Sequence, residues 1–183
     1  MHATLTMRLQ PFSVQPRLED FMELHVGSHH WEARRPDWTV AAVAGFVGGA
    51  TLMVLELLWS VTGGTNPWIV ANKIAGIFLG SGVAQSTEFS ISVIAVALLT
   101  HYVLGIVFGC ILAAILAVLH LEDSLGMALA TGAAFGTLLY LFSFYLMTSF
   151  YPWFAEARNL ETFIGHLIFG MVVGFTYCKM KRQ

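Results

Sequence analysis

Four long apolar stretches constrain the fold of this 183-residue chain more than any other feature. A helix needs about 20 apolar residues to cross roughly 30 Å of hydrocarbon. Charged residues make up only 11% of the chain, against about 25% in soluble domains, so a bilayer is the natural solvent. The predicted membrane spans cover about residues 38–61, 89–119, 125–150 and 162–178.

A short apolar stretch, residues 68–79, lies between the first two predicted spans. It follows a turn-forming segment and Pro67, and proline suits the first turn of a helix. Twelve residues are too few to span a bilayer, and the stretch carries Asn72 and Lys73. It therefore predicts an interfacial or re-entrant helix, with an ordinary extramembrane helix as the alternative. The predicted fold class is an all-α, four-transmembrane-helix bundle with this short helix added.

An internal repeat links the two halves of the predicted bundle. The second and fourth spans each contain a histidine followed by two glycines at intervals of four, and the spans before them carry similarly spaced glycines. Small residues four apart let helix backbones approach closely in lipid, so the pattern predicts two similar hairpins related by an axis along the membrane normal. The repeated positions are His101, Gly105 and Gly109, His166, Gly170 and Gly174, Gly45 and Gly49, and Gly132 and Gly136.

Ionisable residues inside the predicted spans are the main candidates for a functional site. Such residues are costly in a bilayer, so Glu56, His101 and His166 are each a functional hypothesis. The helical rise places them close enough in depth to meet at one level of the bundle. They then form a polar cluster on a proton or ion path, with Lys73 as a further candidate. Alternatively, each side chain only fixes helix register through one hydrogen bond.

A b-type haem is an alternative interpretation of His101 and His166. Histidine is a common axial haem ligand, and the glycines that follow each histidine would leave room for a porphyrin. We otherwise expect no cofactor, no metal site and no catalytic residue. The chain has no phosphate-binding loop, nucleophile elbow or zincin motif, so we do not expect an enzyme.

The N-terminal 37 residues are polar, with no long apolar run. We expect this segment to be partly disordered or to form an amphipathic helix, and we expect no cleaved signal peptide. With four spans, both termini share one side of the membrane with seven Lys and Arg residues, against two on the other side. The positive-inside rule therefore predicts that both termini are cytoplasmic.

Five short segments of the chain carry a resemblance: residues 36–38 (PDW), 56–59 (ELLW), 66–68 (NPW), 100–102 (THY) and 152–154 (PWF). In these segments the chain resembles a group of small bacterial inner-membrane proteins of unassigned function, over roughly residues 36–180. Some members carry the label sodium:proline symporter, but such symporters have many more spans. The resemblance implies a bacterial inner membrane and no known active site.

The sequence thus predicts a non-catalytic integral inner-membrane protein. It would act as an accessory subunit of a larger complex or as a self-associating bundle, in contact with lipid and with a protein partner or further copies of itself. A net charge of −2 argues against nucleic acid as a partner. The alternatives are a small oligomeric transporter or proton-coupled channel, and a b-type haem electron-transfer protein.

Overall fold

A computed structural model describes residues 35–182, and all regular structure in that range is helical. Four helices are long and apolar enough to cross a membrane, which confirms the all-α, four-span prediction. The short helix between the first two spans is present at its predicted position. The helices are α1 (Trp38–Thr62), α2 (Trp68–Leu79), α3 (Ser81–Ala84), α4 (Ile91–Val118), α5 (Leu125–Leu141) and α6 (Leu160–Lys181).

The last helix is longer at both ends than its predicted span. The Asn159 side chain caps its start by accepting a hydrogen bond from the Thr162 N–H at 2.7 Å. Glu161 lies in the first turn and Lys179 in the last, where their charges complement the helix dipole. The predicted span ended next to these charges, but the helix includes both of them and continues to Lys181.

The third span changes its winding near the end. Regular α-helix ends at Leu141, and the chain continues as a π-helical turn, Phe142–Leu146, and then a 3-10 turn, Met147–Ser149. A second 3-10 segment, Pro152–Ala157, follows. The predicted span, residues 125–150, agrees with the extent of this helical stretch, Leu125–Ser149; the change of winding within it was not predicted. A π turn is wider than an α turn and often occurs at functional sites.

In the first hairpin, glycines bring the backbones of α1 and α4 into contact. A Cβ atom added to Gly45 would lie 2.5 Å from the Gly105 carbonyl oxygen and 2.8 Å from the Ile106 Cα. Gly109 faces the Gly45 backbone in the same way. No side chain larger than hydrogen fits at these positions, so the predicted packing role of these glycines matches their placement.

The second hairpin reproduces this seam between α5 and α6. A Cβ atom on Gly132 would overlap the Gly170 carbonyl oxygen and lie 3.1 Å from the Met171 Cα. Gly174 faces Ala128, and Gly136 faces the His166 carbonyl. The repeat therefore extends from the sequence to equivalent backbone contacts in the two hairpins.

The two hairpins do not pack against each other symmetrically. Helix α1 packs on both α4 and α6, whereas α4 and α5 make few contacts. An axis relating the hairpins, as the sequence analysis inferred, would require an α4–α5 contact as extensive as the α1–α6 contact. The two hairpins therefore have similar internal packing, but they are not related to each other by the predicted axis.

Two glycines without counterparts in the repeat lie at the contact between α1 and α6. A Cβ atom on Gly48 would lie 2.5 Å from the Val173 side chain, and one on Gly165 would lie 2.7 Å from the Leu52 side chain. The repeat aligns Gly48 with Phe135 and Gly165 with Thr100. Glycines thus lie where α1 and α6 meet, and larger residues stand at the equivalent positions of α4 and α5.

An apolar core fills the inner end of the bundle, which is the end holding the α4–α5 connection and the C-terminal turn of α6. Leu112, Leu116 and Val173 are fully buried there. The fully buried Tyr177 accepts a hydrogen bond from the Asp37 N–H at 3.2 Å, which ties α6 to the start of α1. The outer end, formed by residues 63–67 and 150–159, is less densely filled.

Helix α2 is held to the chain that follows it by one buried side chain. Asn72 is 1% exposed, and its amide donates to the carbonyls of Ser86 at 2.7 Å and Glu88 at 3.2 Å. Ile74 lines the same cavity as His101, which lies about 15 Å into α4 at 1.5 Å per residue. Helix α2 and His101 therefore border the same cavity, and the re-entrant and extramembrane interpretations of α2 both stay predictions.

We predict that Asn72→Ala destabilises the protein by about 1–2 kcal/mol, because the substitution leaves buried carbonyl groups without donors. The loss should appear as a lower midpoint of thermal unfolding in detergent. Gln85→Ala, at an exposed position in the same connection, is the control and should unfold with the wild type. Equal midpoints for all three proteins would contradict the anchoring role of Asn72.

Candidate functional site: a polar cavity at the outer end

A cavity of about 390 Å³ lies between the helices at the outer end of the bundle. Residues of α1, α2, α4, α5 and α6 line it. It occupies the space between α4 and α5, which make few contacts with each other. Its volume is in the range of small-molecule sites. The asymmetric packing of the hairpins therefore creates the cavity.

All four polar residues that the sequence analysis singled out line this cavity. Glu56 comes from α1, Lys73 from α2, His101 from α4 and His166 from α6. The structure thus brings together side chains from four separate helices. From the sequence, Glu56 and the two histidines were expected at similar depths, which would allow them to meet. Whether they function there stays a prediction.

The Glu56 carboxylate stands apart from the other polar side chains in the described part of the chain. It is half-buried and makes no hydrogen bond or ion pair with any other residue in the described range 35–182. Burying an unpaired carboxylate costs much more than burying a paired one. Because Glu56 also lines the cavity, water, a proton or a bound solute there could reach this carboxylate.

His101 joins two helices through one ring nitrogen. Its Nε2 is 2.8 Å from the carbonyl oxygen of Gly49 in α1. A carbonyl can only accept, so Nε2 carries the proton, and Nδ1 remains as an acceptor in the neutral ring. This bond is the register-fixing contact that the sequence analysis weighed as an alternative, and it leaves one nitrogen for a ligand.

His166 occupies the equivalent place in the second hairpin but bonds differently. Its Nδ1 donates to the Thr162 carbonyl at 2.8 Å, one turn earlier in its own helix. The ring is 8% exposed and meets the Phe144 ring edge-on, with centroids 5.2 Å apart. The bond bridges no helices, so it does not fix register, and Nε2 remains as the acceptor in the neutral ring.

Lys73 connects α2 to the 3-10 segment at the mouth of the cavity. Its ammonium pairs with the Glu156 carboxylate at 2.8 Å, and its backbone carbonyl accepts from the Trp153 indole N–H at 3.1 Å. The Glu156 side chain is 67% exposed, and ion pairs of exposed groups contribute little to stability. The indole bond is therefore the firmer of the two links.

We predict that Trp153→Phe loosens α2 by removing this indole donor. The change should cost about 1 kcal/mol, the usual net contribution of one hydrogen bond. Hydrogen exchange measured by mass spectrometry should become faster in peptides covering residues 68–79. Trp38→Phe, at an exposed position in α1, serves as the control, and unchanged exchange in the Trp153 variant would contradict the link.

The cavity also contains polar residues that the sequence analysis missed. Ser143, in the π-helical turn, lines the cavity at the position that the repeat aligns with Glu56. The repeat itself could have identified it. Glu156 and Glu161 line the cavity as well. Both lie in or next to a short connection, where no sequence pattern distinguishes a cavity residue from an exposed one.

The glycines that follow the two histidines do not leave space for a porphyrin. Gly105 and Gly109 face the backbone of α1, and Gly170 and Gly174 face the backbone of α5. The facing backbone thus fills the space beside these glycines, and of the four only Gly105 also lines the cavity. Haem binding stays a hypothesis that would have to use the cavity, and the absorption spectrum of the purified protein tests it.

The polar N-terminal residues 1–34, with the candidate amphipathic helix predicted there, lie outside the described residues. No protein-family model matches the chain, and no curated protein and no solved structure is significantly similar to it. The functional interpretation that follows relies on the geometry of the cavity and on the sequence.

Proposed function

We propose that this protein binds a small polar solute in the outer cavity and carries it across the membrane in exchange for protons. Its four apolar helices are compatible with an integral membrane protein. The observation that supports the proposal is the convergence of Glu56, Lys73, His101 and His166 on one cavity. The sequence alone favoured an accessory subunit or self-associating bundle, and this convergence shifts the preference to transport.

The two ends of the bundle differ in a way that suits a transporter. Thr65, Asn66 and Asn159, from the outer connections, line the cavity, so a solute reaches it from that end. Leu116 and Tyr177 are fully buried at the inner end and close it. This arrangement corresponds to an outward-open state, and transport would require the weakly packed α4–α5 side to rearrange.

The cavity is lined by a carboxylate and two imidazoles, which are side chains that can bind and release protons. Carboxylates and histidines inside transporters serve as proton relays, and no residue between positions 35 and 182 pairs with Glu56. The two histidines, which line the same cavity, each retain one acceptor nitrogen. A proton on Glu56 would leave when a solute takes its place, which couples the two movements.

We also propose the orientation of this cavity in a bacterial inner membrane. Arg35, Lys179 and Arg182 lie at the inner end, whereas Lys73 and Arg158 lie at the outer end. By the positive-inside rule the inner end faces the cytoplasm. The cavity then opens to the non-cytoplasmic side, where a solute would enter.

Proteoliposomes with an internal pH-sensitive dye test the proposal. Purified protein should produce a pH change when one member of a panel of small amines, amino acids and organic acids is added, and empty liposomes should not. A protein that is folded, inserted and inactive with the whole panel would contradict the transport proposal. Native mass spectrometry of gently released protein tests the accessory-subunit alternative, which predicts foreign chains at fixed stoichiometry.

A further inference from the structure

We propose that the solute is a small organic cation, an amine or a quaternary ammonium compound. The inference rests on the proposed function, because it names the class of molecule that the outer cavity binds. It follows from the charges, the hydrogen-bond acceptors and the aromatic rings that line the cavity.

The charges around the cavity are predominantly negative. Glu56, Glu156 and Glu161 contribute carboxylates, and Lys73 is the one Lys or Arg side chain among the described lining residues. Lys73 pairs with Glu156 at 2.8 Å, so these two charges offset each other. The remaining carboxylates favour a cation and disfavour an anion.

The polar groups deep in the cavity are mainly acceptors. The proton-bearing nitrogens of His101 and His166 are occupied by backbone carbonyls at 2.8 Å in each case. The remaining ring nitrogens can accept in the neutral rings, and the Glu56 carboxylate can only accept when ionised. Such a site matches a solute that supplies N–H or O–H donors or a positive charge.

Aromatic rings complete the lining. A cation over the face of an aromatic ring is attracted by the ring quadrupole, and quaternary ammonium ligands are commonly bound in aromatic cages. Tryptophan is the most effective ring for this contact. The cavity places Trp59 beside Glu56 in α1, together with Phe108, Phe144, Phe154 and Phe169.

The cavity suits an organic cation better than a metal ion. Within the described range 35–182, no three His, Cys, Asp or Glu side chains are grouped closely enough to hold a metal. The volume of about 390 Å³ exceeds what a bare ion occupies, and most of the lining side chains are apolar. A solute with both a charge and a hydrocarbon surface satisfies both features.

Choline and its neutral carbon isostere, in which a quaternary carbon replaces nitrogen, test this inference on the full-length detergent-purified protein. A ligand that binds the native state raises the thermal midpoint, so choline should raise it and the isostere should not. Equal stabilisation by both compounds, or stabilisation by an anionic analogue alone, would overturn the proposal. This comparison needs no variant.

A matched pair of variants locates the binding. Glu56→Gln should raise the apparent Kd for choline at least about tenfold, because it removes a desolvated charge partner. Glu88→Gln, at an exposed position outside the cavity lining, should bind choline like the wild type. Equal weakening in both variants, or in neither, would contradict binding in this cavity.

Flux measurements separate this inference from the proposed function. Uptake of a neutral or anionic solute without choline binding would leave transport intact and overturn the cation class. Choline binding without flux of any solute in the panel would support the cation class and overturn transport.

Discussion

Gly132→Val will disrupt the second hairpin and lower stability by at least about 3 kcal/mol, at the upper limit of overpacking effects. A Cβ atom at this position would overlap the Gly170 carbonyl oxygen. The obstacle is backbone on both sides, so no side-chain rotation relieves it, and α5 and α6 must separate along their seam. Thermal unfolding in detergent, followed by size-exclusion chromatography, measures the loss.

Gly126→Ala is the control for this prediction. Gly126 lies in the same helix and is exposed, and the nearest heavy atom to a Cβ atom added there would be the Ser124 hydroxyl oxygen at 3.9 Å. Alanine favours helix over glycine by up to about 1 kcal/mol, so this variant should unfold with the wild type or slightly later. A Gly132→Val protein as stable as the control would contradict backbone contact in the seam.

Hydropathy and the glycine repeat were enough to predict the spans and the hairpins, because both depend on residues close together in sequence. The relative placement of the hairpins depends on a comparison of individual positions. Gly48 and Gly165 lie at the α1–α6 contact, and the repeat places the larger Phe135 and Thr100 at the equivalent positions. The sequence does not show which helices these positions contact, so the difference could be interpreted only with the structure.

Residues of the candidate site could be predicted from the sequence where an ionisable side chain lies within an apolar span. Glu56, His101 and His166 were identified because ionisable residues inside spans are costly. Glu156 and Glu161 were missed because polar residues are ordinary in connections. The place of Glu156 on the cavity depends on how the 3-10 segment Pro152–Ala157 packs near α2, and that of Glu161 on where α6 begins; local sequence specifies neither.

Glu56→Gln will reduce solute-coupled proton movement at least about tenfold, because carboxylates inside membrane proteins act as proton relays. Glutamine keeps the size and hydrogen-bonding capacity of the side chain but cannot release a proton or carry a charge. Since Glu56 has no partner among the described residues, the substitution breaks no hydrogen bond or ion pair seen in the structure. The expected result is a folded, inserted protein without coupled flux in proteoliposomes.

Glu88→Gln is the matched control for the flux measurement. It makes the same chemical change at an exposed residue outside the cavity lining, and its flux should equal that of the wild type. Wild-type flux in the Glu56 variant would show that this carboxylate carries no proton in the transport cycle. Equal losses in both variants would point to a general effect of charge and contradict the assignment to Glu56.

Cysteine accessibility in native membranes tests the central claim, a water-filled cavity open to the non-cytoplasmic side. The background is Cys110→Ala with Cys178→Ser, which retains a donor to the Glu122 carbonyl. A membrane-impermeant maleimide added from the non-cytoplasmic side should label Ser143→Cys in the cavity and leave the fully buried Ala113→Cys unlabelled. A Ser143→Cys protein that is unlabelled, or labelled only from the cytoplasm, would contradict the account.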